Sequence, residues 1–335
     1  MTKSMNEMTS ADYFHSVDEN ENELMLLLTS GAKFNKEHLK ESLTIITEGI
    51  LDHKIFTKIS EKSREKLYII SVDGLYDLYK VDPETRAGVI NRNLVRKYCR
   101  FMNKELGCLA IGIIDMDYDG IRDLMNSKYE KETQPKNNLF STKDSTTIET
   151  LVLPRLYNEN KKFWIFKEYE SALKLSKNLG IVRYGIEKLK KSGVNLLKQK
   201  HVKNLKPNYH DFDDQYEFDT AKKSYFQLCQ SEDKIIERLV EDNNLGHQIE
   251  MKLRDSVRDV KSLLINEIGD LDSIYDFYID GHDFEFILRN KINLGIRKFR
   301  DETSNLVRYD SLKGHPMFQC IEEWRKKKNL AIIFS

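Results

Sequence analysis

A short apolar segment that ends in alternating aspartates constrains the fold of this chain more than any other feature. The run Cys108–Ile114 is rich in isoleucine and too short for an ordinary helix, which predicts a strand buried on both faces. Asp115, Asp117 and Asp119 follow at alternate positions, and Gly120 permits a sharp turn. Because crowded carboxylates repel one another, a divalent cation with oxygen ligands is their usual partner. The segment therefore predicts a Mg2+ or Mn2+ site at the carboxyl end of a central strand, where open α/β sheets bind ligands.

Strands and helices are predicted to alternate on both sides of this segment. β-branched runs predict strands over 42–47 and 67–72, and a further short strand is predicted over 138–142. The helical spacing of apolar residues predicts one helix directly after Gly49 and another over about 91–106. Alternation of this kind implies parallel βαβ units, so the predicted fold class is α/β, with a parallel sheet flanked by helices.

The remainder of the chain has the pattern of a mostly helical region. The alternation fades after Pro154, and the aromatic run over 162–167 fits either a strand or a buried connector with core side chains. Long amphipathic helices are predicted over 220–242 and 245–268, and a further helix over about 280–300. These patterns divide the chain into a polar N-terminal segment, an α/β catalytic domain and a mostly α-helical C-terminal extension: 1–40, 41–155 and 156–335.

Composition limits the class of protein and the kinds of partner. The formal net charge is zero, with 54 basic and 54 acidic residues, so any nucleic-acid surface has to be a local basic patch. The N-terminus lacks an apolar signal core and no apolar run is long enough to span a bilayer, which predicts a cytoplasmic protein without a membrane partner. The cysteines lack metal-ligand spacing and are typical of reduced thiols: Cys99, Cys108, Cys229 and Cys320.

Acids that end two different strands are predicted to converge. Glu48 ends one predicted strand, and Asp115 and Asp117 follow another. Because the carboxyl ends of parallel strands share one edge of a sheet, the three carboxylates can meet there and bind one or two hard cations. Metals in such sites polarise a phosphate and ionise a water molecule. The aspartate triplet alone also fits a structural Ca2+ loop or a solvated loop, although the other positions of a helix–loop–helix calcium site are absent.

Several short motifs in this order resemble a known family. The segments Thr47-Glu-Gly-Ile-Leu-Asp52, Asp73-Gly74 and Ile114-Asp-Met-Asp-Tyr-Asp-Gly120 resemble the TOPRIM fold of topoisomerases, primases and OLD-type nucleases. Thr147-Ile-Glu149 and the late Gly281-His-Asp283 narrow the resemblance to the stand-alone TOPRIM nucleases of phage defence, such as the effectors of PARIS systems. The motif match covers about residues 41–155, and beyond it only Gly-His-Asp and the helical character support the resemblance.

The family resemblance implies roles for individual acids. In that family the glutamate of the first strand and the Asp-x-Asp pair hold metal, and these roles fall on Glu48, Asp115 and Asp117. The accessory acidic positions of the family fall on Asp52, Asp119 and Glu149. Asp52 and Asp119 are also predicted to reach the metal. The implied catalytic residues are Glu48, Asp115, Asp117, Glu149 and His282, and the implied cofactor is Mg2+ or Mn2+.

The same resemblance implies an activity and a partner. It implies a toxic, metal-dependent endonuclease of antiphage defence, with RNA such as tRNA slightly favoured over DNA as substrate. OLD enzymes carry an ATPase on the same chain, whereas this sequence has no Gly-x-x-x-x-Gly-Lys-Ser/Thr loop. The implied ATPase is therefore a separate ABC-type partner that restrains or activates this chain, and the C-terminal helices could also form a homodimer.

Four acidic or histidine side chains have alternative structural explanations. Asp73 could be a ligand but is favoured as a turn residue, and Asp52 could equally stabilise its helix N-terminus through the dipole. Glu149 lies near a helix start and has the same alternative. His282 could act as a general acid or base or contact phosphate, but Gly-His-Asp is also a good helix start.

Two functional alternatives and one basic stretch complete the predictions. The Lys-rich stretch over 174–200 could contact phosphates together with Arg183 and Tyr184, although such a run is more often a solvated helix face. The first alternative to a nuclease is a catalytically silent subunit that docks on an ATPase. The second is a primase-like nucleotidyl transferase that uses the same acids.

Overall fold

The computed structural model describes residues 39–40, 42–63, 67–74, 91–116, 119–126, 139–141, 147–308, 322–323 and 326. The described residues belong to two compact units. The first contains those up to Ile114, the segment 139–141 and those from Arg308 onward. The second contains the described residues of 115–133 and 142–307. The predicted features of 1–38 and most of those after Arg308 lie outside the described residues.

The first unit contains a four-stranded parallel sheet. Its strands follow the order β2-β1-β3-β4 and comprise β1 (Leu43–Thr47), β2 (Leu67–Ser71), β3 (Ala110–Ile114) and β4 (Leu139–Ser141). Helix α1 (Ile50–Ser63) connects β1 to β2, and helix α2 (Asn91–Lys104) precedes β3. All three strand pairings are parallel, which confirms the predicted α/β class.

Both central strands are buried along their whole length. Every residue of β1 and of β3 is buried, as expected for parallel strands covered on both faces. Helix α2 packs Leu94, Tyr98 and Met102 into the same core as Ile46 and Ile70. Dispersion and the hydrophobic effect therefore hold α2 on the sheet.

The side chain of Asn103, at the end of α2, fixes the start of the central strand. Its Nδ2 donates to the Ala110 carbonyl at 2.8 Å, and its Oδ1 accepts from the Ala110 amide at 3.2 Å. The register then places Thr47 opposite both Ser71 and Ile113. Glu48 is therefore the first residue beyond β1 at the carboxyl edge of the sheet.

The second unit is helical among its described residues. The long helix α5 (Tyr169–Lys191) packs against α8 (Glu232–Asp242), α9 (His247–Glu267) and α11 (Gly281–Lys291), and most of its side chains are buried. Gly185 permits the contact with α9, because a Cβ at that position would lie 2.5 Å from Val257 Cγ2. The helices are α3 (Asp119–Met125), α4 (Ile148–Glu159), α5 (Tyr169–Lys191), α6 (Gln199–Asn204), α7 (Gln215–Leu228), α8 (Glu232–Asp242), α9 (His247–Glu267), α10 (Tyr275–Tyr278), α11 (Gly281–Lys291) and α12 (Ile296–Leu306).

Two predicted helices are each divided in the structure. The predicted helix over 220–242 is two helices, α7 and α8, in the structure. Ser231 is the N-cap of α8, and its hydroxyl accepts a hydrogen bond from the Asp233 amide. The predicted helix over 280–300 is α11 and α12. Asn293 between them has φ of +53°, a left-handed conformation that helices do not continue through.

The aromatic segment after α4 is a connector rather than a strand. It contains a single 3-10 turn, Trp164–Phe166, whose Ile165 and Phe166 are buried. Trp164 is 42% exposed, so its assignment to the core is wrong. None of the helices described is both long enough and apolar enough to cross a lipid bilayer.

Candidate functional site

The Glu-Gly corner after β1 is tied to the turn after β2. Glu48 is half-buried, and its Oε1 lies 3.9 Å from the Arg92 Nε on α2. Its backbone carbonyl accepts a hydrogen bond from the Asp73 amide at 3.2 Å. The Asp73 carboxylate accepts from Asn91 Nδ2 at 2.7 Å, a contact with the first residue of α2, and its role as a turn residue or a ligand stays a prediction.

Asp52 has a structural contact that matches one of its two predicted roles. Its side chain is only 4% exposed, and Oδ2 accepts from the Gly49 amide at 3.0 Å. A carboxylate in the first turn of α1 also interacts favourably with the helix dipole. Asp52 therefore stabilises the Glu-Gly corner, and its predicted contact with a metal stays a prediction.

Asp115 in the second unit is fixed by the start of another helix. Its carboxylate is half-buried, and Oδ1 accepts from the Ile148 amide at 3.1 Å, in the first turn of α4. An anion is favoured there by the exposed amides and by the helix dipole. Asp117 lies outside the described residues, and Asp119 opens α3 with a side chain whose position is not described.

Glu149 and His282 form an ion pair between the first turns of α4 and α11. Glu149 is 3% exposed, and its Oε1 lies 3.5 Å from His282 Nδ1. The imidazole of His282 is 61% exposed, so the pair joins a buried anion to a cation at the surface. These two motifs, distant in sequence, therefore meet in one place.

The pair shifts both ionisation equilibria strongly. Burial raises the pKa of Glu149, but the charge of His282 and hydrogen bonds to the carboxylate together outweigh that effect and lower the pKa to about 2. The Glu149 carboxylate raises the pKa of His282 well above its ordinary value, and the charges of Asp280 and Asp115 add to this effect. These carboxylates therefore favour the imidazolium form of His282, and Asp115 is close enough to add to that stabilisation.

Glycine is required at position 281 for this approach. A Cβ there would lie 1.8 Å from Thr147 Oγ1 and 3.0 Å from Glu149 Oε2. Real Cβ contacts are much longer, so any other residue would require the Thr147 and Glu149 side chains or α11 itself to shift. The Gly-His-Asp motif thus has a steric reason for its glycine.

An ion-pair network beneath α11 holds that helix in position. Arg183 on α5 binds the Asp283 carboxylate with two hydrogen bonds, Nε to Oδ2 at 2.7 Å and Nη2 to Oδ1 at 3.0 Å. Lys206 Nζ lies 2.7 Å from the same Oδ1, and the Asp280 side chain accepts from the Asp283 amide as the N-cap. Because Asp283 is 1% exposed, these cations compensate the cost of its burial.

The predicted role of α5 in contacting phosphates is therefore wrong for its two named residues. Arg183 is 3% exposed and bound to Asp283, and Tyr184 is fully buried. The hydroxyl of Tyr184 donates to the Phe277 carbonyl. The run 179–186 is apolar on all sides except at Arg183, and such a pattern is typical of a buried helix. Partners are also present for three lysines of the stretch, Lys177, Lys188 and Lys190.

A third acid lies beside the pair but is already engaged. Ligand atoms of Glu149, His282 and Glu285 all lie within 4.8 Å of one another, a spacing that could hold a metal ion. Arg300 binds both oxygens of Glu285 at 2.7 Å, and His282 pairs with Glu149, so each acid of the group already has a cationic partner. Of the predicted metal ligands whose side chains the structure describes, Glu48, Asp52 and Asp115, none belongs to this group.

One buried oxygen of this cluster invites a further polar partner. Glu149 Oε2 is buried and has no hydrogen-bond partner among the residues that the structure describes. Buried carboxylate oxygens are normally satisfied, so a water molecule, a substrate group or a cation is expected against it. The predicted ligands are all carboxylates, the donors that hard cations prefer, so their chemistry fits Mg2+ or Mn2+.

Sequence reasoning missed the supporting residues of the second unit. No recognisable motif indicates that Glu285 binds Arg300, because the two residues are 15 positions apart in the chain. The same holds for Asp283 and Arg183, which are 100 positions apart. Comparison with protein-family models, with curated proteins and with solved structures finds no match for this chain. A proposal about its function therefore depends on its residues and their geometry.

Proposed function

We propose that this chain is a Mg2+- or Mn2+-dependent nuclease that hydrolyses phosphodiester bonds of nucleic acid, with RNA such as tRNA favoured over DNA. The observation that carries the proposal is the convergence of Asp115, Glu149 and His282. Asp115 accepts from the amide next to Glu149, and its charge acts on His282. A carboxylate beside a charged, exposed imidazole is suited to phosphate chemistry.

The proposed metal ligands are the strand-end acids. Glu48 directly follows β1 and Asp115 directly follows β3 in the chain, and their joint role is proposed from the sequence pattern. Asp117 completes the proposed set, with Asp119 and Asp52 in accessory positions. A bound metal would polarise the phosphate and supply an ionised water.

His282 is proposed to act directly on the substrate. Its exposed imidazolium can donate a hydrogen bond to a phosphate oxygen and pass its proton to the departing oxygen. Glu149 is a positioning residue in this scheme, because it orients the imidazole and keeps it charged.

The biological setting is proposed on the family resemblance alone. It comprises a toxic role in antiphage defence, control by a separate ABC-type ATPase and, through the C-terminal helices, a homodimer. None of these is needed for the chemistry proposed for the acids and His282.

A cleavage assay combined with metal binding tests the proposed activity. Purified full-length protein would be incubated with Mn2+ and with labelled tRNA, single-stranded RNA and duplex DNA. We expect cleavage that EDTA abolishes and that Asp115→Asn and Glu48→Gln each reduce by about 100-fold or more, since losing a metal ligand removes charge stabilisation at the phosphate. Asp259→Asn, an exposed acid paired with Lys188, is the matched control and should cleave normally.

Thermal stabilisation by Mn2+ provides a readout that is independent of turnover. Wild-type protein and Asp259→Asn should melt at a higher temperature in Mn2+, and Asp115→Asn should not. Cleavage that persists unchanged in Asp115→Asn and Glu48→Gln would reject the assignment. Absence of both cleavage and Mn2+ stabilisation in the wild type would reject the nuclease itself.

A further inference from the structure

A large cavity in the second unit is separate from the Glu149–His282 pair. Its volume is about 1080 Å3, and it lies among the segment after α6, helix α7, the last turns of α11 and the connection to α12. Cavities of several hundred Å3 are large enough to bury a small organic ligand. Its lining is rich in cationic, amide and aromatic side chains.

The cavity carries more positive than negative charge. Four cationic side chains line it, Lys203, Lys206, Lys222 and Arg289, against the two acids Asp211 and Asp219. Asp219 lies 2.6 Å from Lys222 Nζ and therefore compensates that one cation. The excess is notable because the chain as a whole has no net charge.

Lys206 is compensated by acids, which leaves Lys203 and Arg289 as the cations of interest. Asp283, the partner of Lys206, is also bound by the two nitrogens of the Arg183 guanidinium. Asp280 Oδ2 also lies 3.8 Å from Arg183 Nε, so two carboxylates compensate the charges of Arg183 and Lys206. Lys203 is exposed at the rim of the cavity.

Arg289, like Lys203, forms no ion pair among the described residues, although the charge of Glu285 acts on it. Its side chain is half-buried and forms neither an ion pair nor a hydrogen bond in the described part of the chain. The guanidinium carbon instead lies 5.1 Å from the centre of the Phe286 ring. The nearby acid Glu285 is taken by Arg300, and burial lowers the pKa of Arg289. Partial desolvation of a guanidinium that has no ion pair is costly, and a bound anion would relieve that cost.

Aromatic faces lie beside these cations. Tyr209 is 51% exposed, and its ring meets that of Phe218 edge to face with centroids 5.3 Å apart. Phe286 lies under Arg289, and both line the same cavity as Tyr209. Exposed aromatic rings next to cations are the combination with which proteins bind a nucleobase and its phosphate together.

We propose that this cavity binds a nucleoside phosphate, with Arg289 and Lys203 contacting the phosphate and Tyr209 stacking on the base. The ligand is either a free nucleotide or one unit of a single-stranded nucleic acid, because both present the same chemical groups. The inference stands on the cavity alone and does not depend on hydrolysis at the proposed metal site.

Binding measured in EDTA tests the proposal without turnover. Full-length protein would be titrated into labelled adenosine monophosphate and into a labelled single-stranded RNA of about ten nucleotides. We expect Arg289→Gln to weaken binding about tenfold or more, as expected for loss of a charge-assisted hydrogen bond. Tyr209→Ala, a surface change, should weaken it about fivefold or more through loss of stacking.

Matched controls and competition decide between the outcomes. Arg258→Gln and Tyr216→Ala change residues that are exposed and do not line the cavity, and they should bind like the wild type. If the mononucleotide binds, the ligand of the cavity is a free nucleotide. If only the RNA binds and the mononucleotide does not, the ligand is one unit of a single strand. Failure of the wild type to bind either probe at millimolar concentration overturns the proposal. The proposal is also overturned if Arg289→Gln and Tyr209→Ala bind the probes as tightly as the wild type does. It is likewise overturned if inorganic phosphate displaces the labelled probe as strongly as unlabelled nucleotide does.

Discussion

At the scale of single residues, the Glu149–His282 pair links the stability of the protein to pH. The pKa of Glu149 is lowered to about 2 in the folded state, so its contribution is present above its ordinary pKa of 4.5 and is lost as pH falls. The pKa of His282 is raised, so its contribution is complete below its ordinary pKa of 6.5 and is lost as pH rises through the folded value. The pair therefore stabilises the fold most between about pH 4.5 and 6.5.

Replacing His282 should reveal this window. His282→Asn leaves a buried carboxylate without its partner, which we expect to cost about 1–3 kcal/mol of unfolding free energy near pH 6. The difference in melting temperature from the wild type should shrink steadily above pH 6.5. His247→Asn is the control, because that histidine is 79% exposed in its contact with Glu250. A difference that is equal at pH 6 and pH 9 would show that the pair contributes no ionic stabilisation.

Individual side chains were predicted unevenly, for a physical reason. The acids at strand ends were recognisable because their position relative to an apolar run is visible in sequence. The lysines before and after the run 179–186 suggest a surface position for Arg183. The residues directly next to Arg183 in the chain are apolar, and they indicate a buried helix instead. Asp283, the partner of Arg183, is 100 residues away, and no local pattern indicates such a pairing.

At the scale of elements, the contact between α4 and α11 depends on the absence of a side chain at Gly281. Gly281→Ala places a methyl group where Thr147 Oγ1 and the Glu149 carboxylate already lie. We expect this overpacking to cost about 1–3 kcal/mol and to displace His282 from Glu149. Chemical denaturation measures the first effect, and NMR titration of the His282 imidazole measures the second as a pKa nearer 6.5.

The matched control for this change is another glycine before a helix. Gly246 precedes α9 with φ of −74°, and a Cβ there would meet nothing within 4 Å. Gly246→Ala should therefore leave the titration of His282 unchanged and cost at most about 1 kcal/mol through the helix cap. If the two variants behaved alike, the close approach at Gly281 would have no energetic importance.

The sequence predicts helices and strands best where short apolar runs are bounded by clear turn residues. The strands β1, β2 and β3 and the helices between them follow from apolar runs and their turns, and their predicted bounds differ from the observed ones by one or two residues. Helix ends within amphipathic stretches were harder to locate. The breaks at Ser231 and Asn293 depend on a single cap and a single left-handed residue, which apolar periodicity does not register.

At the scale of the whole molecule, the parallel sheet was predictable and the packing of the helical unit was not. Strand–helix alternation limits a sheet to few arrangements, whereas helices with similar apolar faces can pack in many ways. The cavity beside Arg289 belongs to this second category. Its lining joins residues from 203 to 296, and no motif indicated that they would meet.

The zero net charge of the chain leads to a last prediction about nucleic-acid binding. If the cavity around Arg289 carries the interaction, a few cations rather than a broad basic surface neutralise the phosphates. For two to three phosphate contacts on a single strand, the slope of log K against log salt concentration should be about −1.4 to −2.1. Titrations of labelled RNA between about 50 and 300 mM KCl measure this slope, and Arg289→Gln should make it shallower by about 0.7. A slope steeper than about −4 in the wild type, unchanged in Arg289→Gln, would instead assign binding to a larger basic surface, because each further phosphate contact releases further counterions.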